Sequence, residues 1–324
     1  MSSAIDVEIP DDIQPQPEDY DFDLEQALKA VVGITSHVPE DAFTAEILGT
    51  ERIGNGVLIE GGVVLTIGYL ITEAETIWLS LSDGRAVQGH ALAYDQETGF
   101  GLVQPLARLS LRGLPLGDAS AVRLGSDVVV AGAGGRVHSV AANIVGRQEF
   151  AGYWEYVLDE ALFTAPAHPQ WGGTAVLDES GRVIGIGSLQ LQAASEEGHP
   201  LPLNMAVPTN ILAPVLDDLR SHGRRRTPAR PWLGIYGAGI ENKVVVIGLA
   251  SGGPAEEAGV QSGDIVRAVA GEAVSDLAEF YRKVWALGEA GVLVPLTLER
   301  DRDRIDLAVT STDRNLLFKS PRLH

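Results

Sequence analysis

Cysteine is absent from the 324 residues. That excludes disulfides, thiol nucleophiles and thiolate metal sites together, and leaves the redox compartment open. Basic charge is scarce, with 24 Lys and Arg against 44 Asp and Glu and a net charge of -20. Such a surface repels a phosphate backbone, so a nucleic-acid partner is not expected. Long apolar runs are missing too, and nothing approaches the roughly 20 residues of a membrane helix. The opening "MSSAIDVEIPDDIQPQPEDYDFDLE" has neither a basic n-region nor an apolar h-region. The chain as given therefore reads as cytoplasmic, with no membrane partner. The histidines, His37, His90, His138, His168, His199, His222 and His324, show no HxxxH or HxH spacing, so neither a metal site nor a cofactor is expected.

What is present is a composition of 45% hydrophobic and 21% charged residues, that of a globular protein long enough for two domains. Residues 1–26 read as a disordered acidic tail, because their acidic side chains come without Lys or Arg and with Pro10, Pro15 and Pro17. Residues 27–219 carry short β-branched or alternating runs, among them "NGVLIEGGVVLTIGYLI" and "GTAVLDESGRVIGIGS", separated by turn signals such as Gly61-Gly62 and Asp83-Gly84. Strands this frequent predict an antiparallel barrel or sandwich. "VPTNILAPVLDDLRSHG" predicts a helix capped by Thr209 or Asn210 and stopped at Gly223, with Pro214 kinking it or marking its start. Residues 220–230 form an arginine-rich linker, 231–313 a second unit of strands and two short helices, and 314–324 a C-terminal tail.

"GNGVLIEGGVVLTIGYLI", "LSDGRAVQGHALAYDQETGFGLV", "AHPQWGGTAVLDESGRVIGIGS" and "ASGGPAEEAGVQSGDIVRAVAGEAVSDLAEF" occur in that order along the chain. Together they resemble the HtrA/Deg family of trypsin-like serine proteases with a C-terminal PDZ domain. The fold this implies is mainly β, a trypsin-like double β-barrel followed by an α+β PDZ domain. The resemblance places Tyr69 at the position of the catalytic histidine, Gly99 at that of the aspartate and Trp171 at that of the serine. A Ser-His-Asp triad needs a hydroxyl nucleophile, an imidazole to take its proton and a carboxylate to orient that imidazole, so the expected catalytic set is empty. Pro169 falls where the family uses a backbone N–H in the oxyanion hole, and proline has none. The expectation is thus a protein that is not an enzyme, a pseudoprotease. The alternatives are a serine-type endopeptidase with an unrecognised nucleophile and a structural subunit of an oligomer shared with an active paralogue.

Substitute groups are poor candidates. His168 is a loop histidine beside proline, Thr174 reads as a strand residue, His90 as a solvent-facing one, and Tyr69 is a weak base near pH 7. Trp171 is expected to fill the former specificity cleft, with an exposed recognition anchor as the alternative. Trp154, Tyr156 and Phe163 are candidates both for that side and for core packing. In the second unit, "PWLGI" resembles the carboxylate-binding segment of a PDZ domain. This implies a peptide-binding set of Trp232, Leu233, Gly234 and Ile235, with Phe280 and Val284 on the facing helix. Expected partners are C-terminal or extended peptides, and a homo-oligomer is possible.

Overall fold

The computed structural model describes residues 9–194 and 200–319; His199 and His324 lie outside them. By internal contacts the chain divides into one unit of Met1–Gln148, Glu160–Arg225 and Lys319–His324, and another of Glu149–Asp159 and Arg226–Phe318.

The first unit holds two closed six-stranded antiparallel barrels. One is formed by β1 (Val31–His37), β2 (Glu51–Leu58), β3 (Val64–Ile67), β4 (Thr76–Ser80), β5 (Ala86–Tyr94) and β6 (Phe100–Pro105), in the order β1-β2-β3-β6-β5-β4. The other is formed by β7 (Asp127–Ala131), β8 (Ser139–Gly152), β9 (Tyr156–Ala165), β10 (Ala175–Leu177), β11 (Val183–Ala194) and β12 (Pro200–Pro208), in the order β10-β11-β12-β9-β8-β7. Closure comes from β1 pairing on both sides, Val31 opposite Val57 and Ile34 opposite Leu79. It leaves no unpaired strand edge to template aggregation. Interior positions are filled by branched and aromatic side chains, including Ile34, Leu65, Leu79, Phe100 and Leu102 in the first barrel and Val130, Ile144, Leu162 and Ile184 in the second.

Four sequence expectations differ here. Residues 9–26 are not featureless: they form 3-10 turns at Asp11–Ile13 and Pro17–Asp19 and lead into a helix at Leu24–Leu28. Ile9 is buried with Val128, Val130 and Val140, and the Gln14 amide donates to the Ile9 carbonyl at 2.7 Å. A few apolar anchors outweigh the acidic composition, which a compositional rule averages away. The helix expected across 209–223 is split at Pro214 into a 3-10 turn, Thr209–Ile211, and a helix, Leu216–His222, that stops at the left-handed Gly223. Arg225 of the expected linker is anchored within the barrel unit, gripping Asp95 through two bonds of 2.7 and 2.8 Å and lying 3.3 Å from Glu97. Residues 314–317 of the expected tail form another 3-10 turn.

The second unit is a sheet of β13 (Ile235–Ile240), β14 (Lys243–Leu249), β15 (Ile265–Val269), β16 (Glu272–Ala273), β17 (Leu293–Arg300) and β18 (Asp303–Thr310). Its main path is β13-β14-β15-β17-β18, with β16 paired to β15, so β13 is an edge strand. A helix, Leu277–Ala286, starts where the Asp276 carboxylate caps the Glu279 N–H. Its apolar face puts Leu277, Phe280, Tyr281 and Val284 into one core with Leu233, Ile235, Val244, Leu296 and Val309. Residues 149–159, the tip of the β8–β9 hairpin, belong to this unit, and Ala151 and Val157 pack against that core.

Candidate functional site

In the barrel unit, the residues expected at the three catalytic positions sit on loops bound to neighbouring backbone. Tyr69 lies in the 3-10 turn Gly68–Leu70 that follows β3. Its hydroxyl donates to the Ser188 carbonyl at 2.9 Å. Burial pushes the phenol well above its ordinary value, and a hydrogen bond with the Trp171 side chain only partly opposes this. A phenol so held stays protonated at neutral pH and is no general base. Gly99 has φ +80°, and its carbonyl accepts from the Gly68 N–H at 2.7 Å. On the expected alignment it offers backbone where a carboxylate would orient an imidazole.

Trp171 lies on the loop between β9 and β10 and is partly exposed. Its indole therefore reaches the Tyr69 hydroxyl without being sealed in a core, and the expected choice between plug and exposed anchor resolves into an intermediate placement. The Trp171 carbonyl accepts from the Thr174 hydroxyl at 2.9 Å, which commits Thr174 to holding the loop. His168 is buried, and the groups its ring binds are half-buried. Its Nδ1 accepts from the Gln170 N–H at 3.0 Å, and Nε2 lies 2.9 Å from the His138 carbonyl. This pattern assigns the proton to Nε2. Burial lowers the His168 pKa and favours the neutral ring. His168 thus serves as a strut for residues 168–170. His90 is on β5, half-buried.

Asn55, which sequence reasoning passed over, ties this region together. Its Nδ2 donates to the carbonyls of Gln170 at 2.9 Å and Gly172 at 3.1 Å, while Oδ1 accepts from the Ala133 N–H at 2.9 Å. A polar residue between glycines in an apolar strand, "GNGVLI", is the signal that could have found it. Gly173 makes the close approach possible. It has φ +76°, and a Cβ there would lie 1.8 Å from the Asn55 carbonyl oxygen.

A second constellation lies in the PDZ-like unit. The backbone N–H groups of Leu233, Gly234 and Ile235 converge on one carboxylate, that of Glu155. Gly234 and Ile235 donate to Oε1 at 2.7 and 3.0 Å, and Leu233 reaches both oxygens at 3.2 and 3.1 Å. Gly234 adopts φ +79°, which turns successive N–H groups toward one point, the geometry of an anion-binding nest. Burial pushes the Glu155 carboxyl up to about 7, against the pull of the three N–H donors and the Arg314 charge. Trp232 is buried beneath the Arg314 guanidinium, 5.8 Å from its carbon to the ring centroid. The structure thus brings Leu233, Gly234 and Ile235 together around a carboxylate. It places Phe280 and Val284 in the core, where 3-to-4 spacing puts packing residues as readily as groove residues. Trp154 stacks on Tyr156 at 5.5 Å in the hairpin tip, and Phe163 lies in β9.

No group of three or more His, Cys, Asp or Glu side chains among the described residues could hold a metal ion. No helix among them is long and apolar enough to cross a membrane.

A family model described as a trypsin-like peptidase domain matches residues 54–186, and one described as a PDZ domain matches residues 231–310. A "Probable periplasmic serine endoprotease DegP-like" from Brucella suis is 27% identical over 275 residues, covering 79% of this chain and 52% of that protein. A "Probable periplasmic serine protease do/HhoA-like" from Haemophilus influenzae is 27% identical over 270 residues, covering 77% and 56%. The chain spans about half the length of the curated relatives it matches. Among solved structures, "HtrA-type protease AlgW with tripeptide" superposes with a TM-score of 0.53 at 19% identity, covering 89% of this chain and 95% of that one. The serine endoprotease from Yersinia pestis superposes at 0.52 and 22% identity, covering 90% and 96%. At these identities the structural likeness shows the fold.

Two expectations are overturned by these findings. The relatives are named serine endoproteases and the structural neighbours are HtrA proteases, which points to an enzyme rather than a non-enzyme. The relatives are also named periplasmic, which conflicts with the cytoplasmic location expected from the N-terminal residues. The inference from an empty triad considered side chains alone, and the inference from the N-terminus considered only the first residues given. In one mainly β chain, a trypsin-like peptidase domain is followed by a PDZ domain, and the whole is similar to DegP-like and HtrA-type serine proteases.

Proposed function

We propose that the protein recognises polypeptides through its PDZ domain, capturing a C-terminal carboxylate on the N–H groups of Leu233, Gly234 and Ile235 while the extended segment adds to the edge strand β13. The observation that carries this reading is the convergence of those donors on a carboxylate oxygen. Main-chain donors supply register and affinity in this mode, and side-chain pockets supply preference. Solved structures of the HtrA-type protease AlgW with a tripeptide and with a decapeptide support it. Such recognition suits a regulator or scaffold that selects polypeptides in the periplasm, the compartment in the relatives' names.

The relatives' names favour a second activity on the same polypeptides, peptide-bond hydrolysis. We assign Tyr69, Gly99 and Trp171 to the family's three catalytic positions and Pro169 to one oxyanion position. On that assignment hydrolysis by this chain uses a nucleophile other than residue 171, because an indole has no hydroxyl to add to a carbonyl. Casein digestion run alongside fluorophosphonate labelling, with the labelled residue mapped by mass spectrometry, tests the assignment. Label on a residue outside 69, 99 and 171 agrees with it, and label on residue 171 contradicts it.

A further inference from the structure

The carboxylate-binding loop is already occupied by the chain's own side chain, and the occupant is bound as a peptide ligand would be. Glu155 fills the nest of three N–H groups. Two residues upstream, the Tyr153 carbonyl accepts from the Gly237 N–H of the edge strand β13 at 3.1 Å and from the Tyr281 hydroxyl of the facing helix at 3.0 Å. Residues 153 to 155 form the turn between β8 and β9, and their contacts follow β13 with the carboxylate at the Leu233–Ile235 end. Tyr153 also meets Tyr236 edge-on at 5.9 Å, and Arg314 reaches the Trp154 carbonyl at 3.4 Å. Glu149 and Asp159 flank the tip and both pair with Arg282 of the same helix.

Glu155 also holds a left-handed backbone, φ +59°, which is unfavourable for a residue with a side chain and persists only where surroundings enforce it. A buried carboxylate is costly unless hydrogen-bonded. Its full engagement by main-chain donors explains how an acidic residue is accommodated inside an apolar unit.

We infer that the hairpin tip Tyr153–Glu155 is an internal ligand of the PDZ groove, closing it to external C-terminal carboxylates until the tip withdraws. This rests on the peptide-capture reading above and adds its regulation. An external peptide then binds only the fraction of molecules whose tip is out, and its apparent affinity falls by that fraction.

The test is fluorescence anisotropy on the full chain, using a pool of labelled hexapeptides with free C-terminal Val, Leu, Ile or Phe, for wild type, Glu155→Ala and Glu155→Gln. Amide hydrogen exchange at Leu233, Gly234 and Ile235 is followed in parallel. Glu155→Ala is expected to bind at least about tenfold tighter than wild type, the factor for a groove closed in nine molecules of ten, with faster exchange at the three amides. Glu155→Gln, which keeps an acceptor oxygen and loses the charge, falls between. Binding equal in wild type and Glu155→Ala overturns the internal ligand and leaves peptide capture standing. No binding in any variant, with the amides still exposed in Glu155→Ala, overturns peptide capture and leaves Glu155 as the occupant. Unchanged amide exchange in Glu155→Ala overturns the inference whatever the peptides do.

Discussion

Removing the Asn55 side chain should loosen the loop that carries Trp171, by an amount set by its three hydrogen bonds. In Asn55→Ala, the Gln170 and Gly172 carbonyls lose their side-chain donor and the Ala133 N–H loses its acceptor. The Gly172 carbonyl keeps the Asn55 N–H at 2.8 Å, so two groups are left without the partner described. Both groups are half-buried, so the lower half of the range of about 1 to 3 kcal/mol per lost hydrogen bond applies to each, and the cost is about 3 kcal/mol. For a unit of this size that corresponds to roughly 6 to 12 °C in melting temperature. Asn55→Asp sharpens the test. A carboxylate can still accept from Ala133, yet it turns its second oxygen toward two carbonyls, and repulsion in a buried site adds to the loss. Aspartate should therefore be worse than alanine at pH 7 and improve in acid, where the protonated group donates again. Differential scanning fluorimetry from pH 4.5 to 8 reads both effects. An unchanged melt for Asn55→Ala, or an aspartate variant milder than alanine at neutral pH, refutes the reasoning.

Gly173→Ala should prevent the barrel unit from reaching its native loop packing, since the added methyl would lie 1.8 Å from the Asn55 carbonyl oxygen at a left-handed φ; an unaltered near-ultraviolet circular dichroism spectrum contradicts this. Trp171→Ser should gain no fluorophosphonate label at position 171, because both His168 nitrogens are held by backbone groups and Tyr69 stays protonated; label there refutes it. Glu155 gives a pH dependence. Its carboxyl is raised from 4.5 to about 7 by burial, so its contribution is fully present below the ordinary value and lost as pH climbs through about 7. Arg314 and Tyr281 are the charged and titratable groups coupled to it. A shift of this size corresponds to on the order of 3 kcal/mol. Melts of wild type should fall from pH 5 to 8 more steeply than those of Glu155→Gln, and parallel curves contradict this.

Much of the architecture was legible in the residues. β-branched runs between Gly61-Gly62 and Asp83-Gly84 mark strands and turns, and Gly223 marks the end of a helix. The position of Pro214 left its effect open, and the structure resolves it as a break. The acidic N-terminal segment was misread because its charges are many while the anchors that order it, Ile9 and Gln14, are few. Leu233, Gly234 and Ile235 were singled out because "PWLGI" resembles the carboxylate-binding segment of a PDZ domain, and their N–H groups converge on one carboxylate. Glu155 could not be found that way. It lies 78 residues from Leu233 along the chain, it is one of 44 acidic side chains, and only the folded hairpin gives it meaning. Phe280 and Val284 illustrate the opposite failure, since helical spacing marks a buried face without saying whether that face meets a ligand or a core.

The central claim is that a carboxylate is what the Leu233–Ile235 loop captures. It is tested most directly by comparing one peptide with a free and an amidated C-terminus, in calorimetric titrations of the full-length Glu155→Ala chain. Amidation removes a charge-assisted set of hydrogen bonds, about 1.5 to 3 kcal/mol, or roughly 10- to 150-fold in affinity. The account predicts tighter binding of the free form by at least that lower factor. Equal affinities for the two forms would contradict it.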